Sequence, residues 1–128
     1  MDIALRLAQE SKCPRNKVGS VFLLESGLIA TGINGFPEGQ QESWTDGRES
    51  NEMVTHSEAN ALGKLLEEGV SAKNSTVYIS LQPCLECSKL LVRAKVKRVV
   101  YLEDYRCGAG LEYLRTYGIE VEKWKENE

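Results

Sequence analysis

Apolar residues repeat with two different spacings along this 128-residue chain, and the two spacings alternate. Alternating or continuous apolar runs are typical of strands, whereas apolar residues three or four positions apart are typical of helices. Helices are predicted at 2–12, 56–68, 84–95 and 111–116, and strands at 18–24, 28–33, 76–81, 98–102 and 119–124. The resulting order, α-β-β-α-β-α-β-α-β, predicts one α/β domain over residues 1–128. Helices are expected on both faces of a mostly parallel sheet.

Glycine and proline mark the ends of several predicted elements. Pro14 is predicted to end the first helix, Gly69 to end the second, and Pro83 to introduce the third. Residues 34–53 are polar and contain several glycines, so a long loop is predicted there. Loops of this length inside a compact domain are usually functional.

The net charge of the chain limits the class of partner. Its formal value is −3, whereas nucleic-acid binders usually carry a basic face that neutralises phosphates. No apolar run approaches the length that spans a bilayer. The N-terminus lacks the basic region and apolar core of a secretory signal. We therefore expect a cytoplasmic protein with no membrane partner and no extended nucleic-acid interface.

The cysteines and the single histidine form a pattern that favours a metal site. Cysteines of a cytoplasmic chain stay reduced, so metal binding or chemistry is expected of them rather than disulfides. Cys84 and Cys87 are three residues apart at a predicted helix start, which places both sulfurs on one side of the first turn and favours thiolates. Two thiolates and the neutral imidazole of His56 suit zinc.

Three protein ligands predict a catalytic zinc site rather than a structural one. A structural site has four ligands, whereas three leave a position for water, whose pKa zinc lowers toward neutrality. Glu58, two residues after His56, is predicted to carry protons. An H-x-E motif followed by P-C-x-x-C is the signature of zinc-dependent nucleobase deaminases, in which the glutamate is the general acid and base.

Two other interpretations of the C-x-x-C motif are a redox pair and half of a structural zinc site. In the structural case Cys13 or Cys107 would supply the fourth ligand. We favour buried free cysteines at both positions, because free cysteine is among the most buried residue types.

Several further segments resemble a known family. Residues 11–19 are similar to the segment that leads into the first strand of deoxycytidylate (dCMP) deaminases, and residues 30–39 contain their G-x-N-G-x-P-x-G loop. Residues 56–62 resemble their H-A-E-x-N-A helix start, with Ser57 in place of the usual alanine. Together with residues 108–111 and 117–119, these segments give a resemblance to the cytidine and deoxycytidylate deaminase superfamily over nearly the whole chain.

This resemblance implies a three-layer α/β/α fold with a five-stranded mixed sheet. It implies hydrolytic deamination of dCMP to dUMP with release of ammonia. Zinc would be held by His56, Cys84 and Cys87, and Glu58 would move protons. The substrate would be bound by Asn34, by Asn60 and by the backbone around Ser57.

The resemblance also implies regulation and assembly. Many dCMP deaminases are hexamers controlled by dCTP and by dTTP with magnesium, and the effector loop here would include Gly32, Asn34 and Gly35. The glycines could equally serve only the turn, since glycine adopts positive φ without strain. From the resemblance we also expect a homo-oligomer, with a hexamer favoured.

The cations available for a 5′-phosphate are Lys12, Arg15, Lys17, Arg48 and Arg106.

Two alternatives to a dCMP deaminase remain. The first is a deaminase of another substrate: cytidine, cytosine, dCTP, guanine or adenosine in transfer RNA. The acidic balance disfavours transfer RNA, and a free-nucleoside enzyme more often binds zinc through three cysteines. The second is a non-enzymatic module stabilised by zinc, which would require a fourth ligand and leave Glu58 without a role.

Overall fold

A computed structural model describes residues 1–13, 16–35, 55–105 and 107–125. It contains four helices and five strands within those ranges, in the predicted order. They are α1 (Asp2–Ala8), β1 (Gly19–Leu23), β2 (Ile29–Ile33), α2 (Ser57–Glu68), β3 (Thr76–Leu81), α3 (Leu85–Arg93), β4 (Arg98–Glu103), α4 (Ala109–Thr116) and β5 (Glu120–Lys123).

The five strands form one sheet in the order β2-β1-β3-β4-β5. β1 is antiparallel to both of its neighbours, whereas β3, β4 and β5 are parallel. The expected five-stranded mixed sheet is thus confirmed, but the prediction of a mostly parallel sheet is wrong, because only two of the four pairings are parallel. The crossover from β2 through α2 to β3 passes over β1, which places an antiparallel strand between two parallel ones.

Two glycines show that helices cover both faces of the sheet. Gly32 pairs with Ser20, the neighbour of Gly19, so Gly19 and Gly32 point to opposite faces. A Cβ at Gly19 would lie 2.2 Å from the Ala4 carbonyl oxygen in α1, and one at Gly32 would lie 2.1 Å from the Ser57 carbonyl oxygen in α2. α1 and α2 therefore pack closely on opposite sides, which gives the three layers.

The main core lies between the sheet and the helices α2, α3 and α4. α3 contacts both of the other two helices. Large buried side chains come from strands and helices alike; they include Phe22, Val77, Ile79, Val99, Leu65, Leu91, Leu111 and Leu114. Burial of apolar area at about 25 cal/mol per Å² makes this the largest favourable contribution to folding.

The ends of some elements differ from prediction. α1 ends at Ala8 rather than residue 12, because the Ser11 hydroxyl bonds to Asn34 and draws the chain away from the helix axis. Cys84 caps α3, so Pro83 precedes the cap instead of opening the helix. Gly69 ends α2 with φ +66, as predicted. Pro14 and residues 36–54 lie outside the described ranges, so the predicted loop over 34–53 is described only at its start.

None of the helices in the described ranges is both long and apolar enough to span a membrane.

Candidate active site

The site lies where two helices begin at one edge of the sheet. β2 and β3 point in the same direction, because each is antiparallel to β1. α2 and α3 follow these two strands, so their N-termini meet beyond the same ends. His56 is the residue before α2 and Cys84 is the residue before α3. The carboxyl ends of parallel strands are the usual location of ligand sites in α/β proteins.

Backbone hydrogen bonds fix the start of α2. Gly35 and Thr55 form an antiparallel bridge through bonds of 3.0 and 2.8 Å, which places His56 directly after β2 in space. The Asn60 side-chain amide donates to the Ile33 carbonyl oxygen at 2.7 Å. The first turn of α2 is therefore held against the end of β2.

His56, Cys84 and Cys87 form a group that could hold a metal ion. Their ligand atoms all lie within 4.8 Å of one another. His56 Nδ1 is 3.2 Å from Cys87 Sγ and 3.5 Å from Cys84 Sγ. In a tetrahedral zinc site a nitrogen and a sulfur ligand are separated by roughly 3.6 Å, as follows from bond lengths of about 2.05 and 2.3 Å. The group thus fits zinc in its residue types and its spacing.

The pKa values of the three groups show how they share protons. Hydrogen bonds from Cys87 and His56, assisted by the Cys87 backbone N–H, lower the pKa of Cys84 to about 4. The hydrogen bond to Cys84, burial and the charge of Glu58 raise the pKa of Cys87. The hydrogen bond to Cys84 also raises the pKa of His56 against the effect of burial. Of the three groups, Cys84 has the lowered pKa and Cys87 and His56 have raised pKa values, so we expect zinc to compete with protons chiefly on Cys87 and His56.

Cys13 and Cys107 are not members of this group. All four cysteines are free, and the group formed by the described residues contains only Cys84 and Cys87 of the four. The prediction that Cys13 and Cys107 are buried is wrong: Cys13 is half-buried and Cys107 is exposed, in the connection between β4 and α4. The Cys107 carbonyl oxygen accepts a hydrogen bond from Gln82 Nε2 at 2.9 Å.

Glu58 lies in the first turn of α2, beside the group. Its side chain is only 4% exposed, and its charge helps to raise the pKa of Cys87. The Ser57 hydroxyl donates to Glu58 Oε1 at 2.6 Å. The sequence predicted a role for the backbone around Ser57 but missed this side-chain contact. The signal that could have found it is the serine itself, because alanine is usual at this position in the resembling family.

Asn34, a predicted substrate residue, is tied into the fold through its side chain. Asn34 Oδ1 accepts bonds from Ser11 Oγ at 2.7 Å and from the Val18 N–H at 2.9 Å, and Nδ2 donates to the Asn16 carbonyl oxygen at 2.6 Å. These bonds hold residues 11–18 against the end of β2. Its contact with a substrate stays a prediction.

The predicted effector and phosphate residues are placed only in part. Gly32 has a packing role, since any side chain there would collide with α2. Lys12 and Lys17 are exposed. Arg15, Arg48 and Arg106 lie outside the described ranges, so the binding of a phosphate stays a prediction.

Comparison with known proteins agrees with this geometry. A family profile described as the cytidine and deoxycytidylate deaminase zinc-binding region matches residues 1–103. Deoxycytidylate deaminase from Mus musculus is 31% identical over 113 residues, and the alignment covers 81% of this chain. Deoxycytidylate deaminase from Saccharomyces cerevisiae is 32% identical over an alignment of 139 residues, which covers 100% of this chain. The chain spans only 62% and 44% of the lengths of these two relatives.

A solved structure is similar over nearly the full length of both chains. It is the dCMP deaminase from the cyanophage S-TIM5, in complex with dCMP and dUMP. Its TM-score is 0.89 at 36% identity, and the match covers 96% of this chain and 92% of the phage chain. Together with the profile match and the cluster of His56, Cys84 and Cys87, this likeness shows that the chain belongs to the zinc-binding family of cytidine and deoxycytidylate deaminases.

Proposed function

We propose that this chain deaminates dCMP by hydrolysis, forming dUMP and ammonia. The observation that carries the proposal is a buried carboxylate, Glu58, beside a group of three metal ligands. A structural zinc site has four ligands and needs no such carboxylate. The cyanophage enzyme that binds dCMP and dUMP supports a cytosine nucleotide as the substrate.

In this proposal His56, Cys84 and Cys87 hold one zinc ion and Glu58 moves the protons. Zinc bound by two thiolates and an imidazole supplies a Lewis acid and a water that ionises near neutral pH. The Glu58 carboxylate accepts a proton from the attacking water and delivers it to N3 of the cytosine ring. It then takes the remaining proton of the added water from the C4 hydroxyl and gives it to the 4-amino group, so that C4=O forms and NH3 leaves. One carboxylate can do both because the two acceptors are adjacent.

The chain's own residues hold this arrangement in place. Asn60 and the bridge between Gly35 and Thr55 fix the first turn of α2, where Glu58 lies. Backbone N–H groups around Ser57 and Cys84 bind the pyrimidine ring. Asn34 and Asn60 contact the sugar or the phosphate. The cations available to bind the 5′-phosphate are Lys12, Arg15, Lys17, Arg48 and Arg106. Residues 1–128 act as a single domain.

The chemistry is tested with a substrate panel on protein loaded with one zinc per chain. The panel contains dCMP, CMP, dCTP, deoxycytidine and cytosine, and the readouts are ammonia release and the uracil product. Turnover of dCMP should exceed that of the others. Failure to turn over any of them, at full zinc content, would refute the proposal.

Glu58→Gln provides the matched test of the mechanism. It keeps the size and hydrogen-bonding shape of the side chain but cannot accept a proton, so kcat should fall by about 10²–10⁴-fold while zinc content stays at one per chain. Wild-type kcat with zinc retained would refute the role of Glu58.

We also propose that the enzyme is a cytoplasmic homo-oligomer, with a hexamer favoured, regulated by dCTP and by dTTP with Mg²⁺. The effector loop would include Gly32, Asn34 and Gly35, as the family resemblance implies. Light scattering measures the oligomeric state. Titration of both triphosphates at low dCMP concentration tests the regulation, and activity that is flat for both would refute it.

A further inference from the structure

We propose that the Ser57 hydroxyl is a positioning group that holds the Glu58 carboxylate in one orientation. The inference rests on the proposed function, in which Glu58 carries protons between water and the cytosine ring. It assigns a role to a side chain that differs from the alanine usual in the resembling family.

The contact between the two side chains is short and shielded from solvent. Ser57 Oγ lies 2.6 Å from Glu58 Oε1, which is within the normal range for a hydroxyl that donates to a carboxylate. Ser57 is fully buried. Water therefore competes little for the hydroxyl, and a hydrogen bond to a charged group is stronger at such a site than at the surface.

The hydroxyl itself is held in a fixed place by the backbone. Ser57 is the first residue of α2, and its carbonyl oxygen rests on Gly32 of β2. The Asn60 N–H donates to the His56 carbonyl oxygen at 3.0 Å, and the Asn60 side chain is bound to Ile33. The position of Ser57 Oγ is thus set by the packing of α2 on the sheet.

A fixed donor matters because a glutamate side chain has three rotatable bonds. A proton carrier works only when its oxygens lie within hydrogen-bond reach of the reacting atoms. The bond from Ser57 restrains Oε1, so that the second oxygen, Oε2, points in a defined direction and exchanges protons with the substrate. Alanine at position 57 would remove this restraint on Oε1.

Ser88 offers a closely matched control. Ser57 directly follows the ligand His56, and Ser88 directly follows the ligand Cys87; both serines are fully buried. In the part of the chain that the structure describes, however, Ser88 Oγ makes no hydrogen bond. Ser88→Ala therefore removes the same atom next to the same metal group without removing a contact to Glu58.

The test compares wild type, Ser57→Ala and Ser88→Ala as zinc-loaded proteins. In Ser57→Ala, kcat for dCMP should fall roughly 3- to 10-fold with KM changed less than twofold, as expected for the loss of one hydrogen bond to a carboxylate. Ser88→Ala should match wild type in both constants. Zinc content should be one per chain in all three proteins.

A second readout does not depend on activity. Crystal structures of the zinc-loaded wild type and Ser57→Ala should show one orientation of the Glu58 carboxylate in the wild type and more than one in the variant. An unchanged kcat in Ser57→Ala would overturn the inference, and so would an unchanged, single orientation of Glu58. If the wild type turned over no cytosine compound, the proposed function would fail, whereas the orientation of Glu58 would still decide whether Ser57 positions it.

Discussion

A Cβ atom at Gly32 would lie only 2.1 Å from the carbonyl oxygen of Ser57, the first residue of α2. It would also lie 2.7 Å from the Ala61 backbone nitrogen, one turn further along the helix. No side chain can occupy this space without moving α2. His56, Ser57 and Glu58 all lie at the start of α2. The distance between this helix and β2 therefore fixes the positions of the metal ligand His56 and of the Glu58 carboxylate.

Gly32→Ala should therefore damage both stability and metal binding. Overpacking typically costs about 1–3 kcal/mol, and here the obstacle is backbone, so we expect a loss of about 3 kcal/mol in the free energy of unfolding. Zinc affinity should fall because His56 is displaced. Urea denaturation and zinc titration measure the two effects.

Gly63→Ala is the control, because a Cβ at this position in α2 meets nothing within 4 Å. It should raise the free energy of unfolding by roughly 0.5–1 kcal/mol through helix propensity. Equal effects of the two substitutions would contradict the close packing at Gly32.

The side chain of Asn34 should contribute more to stability than the side chain of Ser11, one of its three partners. Asn34 is 7% exposed, and its side chain makes three hydrogen bonds, to Ser11, Asn16 and Val18. A buried hydrogen bond contributes about 0.5–1.5 kcal/mol, and partners left unsatisfied add to the cost. Asn34→Ala should lower the free energy of unfolding by about 2–4 kcal/mol, against about 1 kcal/mol for Ser11→Ala. Similar losses in the two variants would show that Asn34 does not organise this segment.

Two adjacent leucines of α2 should lose very different amounts of unfolding free energy on truncation to alanine. Leu65 is 7% exposed and lies in the core, whereas Leu66 is 84% exposed. Leu65→Ala should cost about 2–5 kcal/mol of unfolding free energy, because it leaves a cavity. Leu66→Ala should change it by less than about 0.5 kcal/mol. A large, concentration-dependent loss for Leu66→Ala would instead indicate that this face is buried in an assembly.

Zinc binding should release protons, with an affinity that rises with pH. The pKa values of Cys87 and His56 are raised, so both groups hold protons that zinc displaces, whereas Cys84, with a pKa of about 4, has already lost its proton near neutrality. At pH 6 about two protons should leave per zinc, and each proton lowers the apparent affinity tenfold per unit decrease in pH. Calorimetry in buffers of different ionisation enthalpy counts the protons.

Cys107→Ser should give the same proton count, because Cys107 lies outside the metal group. A release of three protons would contradict the assignment of Cys84 as the thiolate, and a release of none would contradict the protons assigned to Cys87 and His56.

Local signals were sufficient to predict most elements of the fold. β3 runs from Thr76 to Leu81 as predicted, because its run of β-branched and apolar residues begins one residue beyond the turn at Lys73 and Asn74. Gly69 ends α2 because glycine adopts the left-handed conformation without strain. Such signals lie within a few residues of the boundary that they define, and the predicted α/β architecture follows from them.

Features that depend on contacts between distant residues could not be predicted. The early end of α1 reflects the bond between Ser11 and Asn34, which are 23 residues apart. The strand order, in which β1 lies between β2 and β3, is not encoded by any local pattern. Leu66 fits the same helical spacing of apolar residues as the buried positions of α2, yet it is 84% exposed. It lies at the margin of the apolar face, where burial depends on the neighbouring elements.

The candidate site was predictable where spacing alone defines the chemistry. His56, Cys84 and Cys87 were predicted as one group from two short motifs, and their ligand atoms lie within 4.8 Å of one another. The bond from Ser57 to Glu58 was missed because adjacent residues of a helix do not normally face each other. Only the side-chain conformations at the first turn of α2 bring these two together.

The ligand group also has a consequence for the order of folding. Cys84 and Cys87 are neighbours within one helical turn, but His56 is 31 residues before Cys87 and precedes a different helix. Closure of such non-local contacts is slow in comparison with the formation of a helical turn. We therefore expect the complete ligand set to form late in folding, so that a bound metal would stabilise the folded chain rather than initiate its folding.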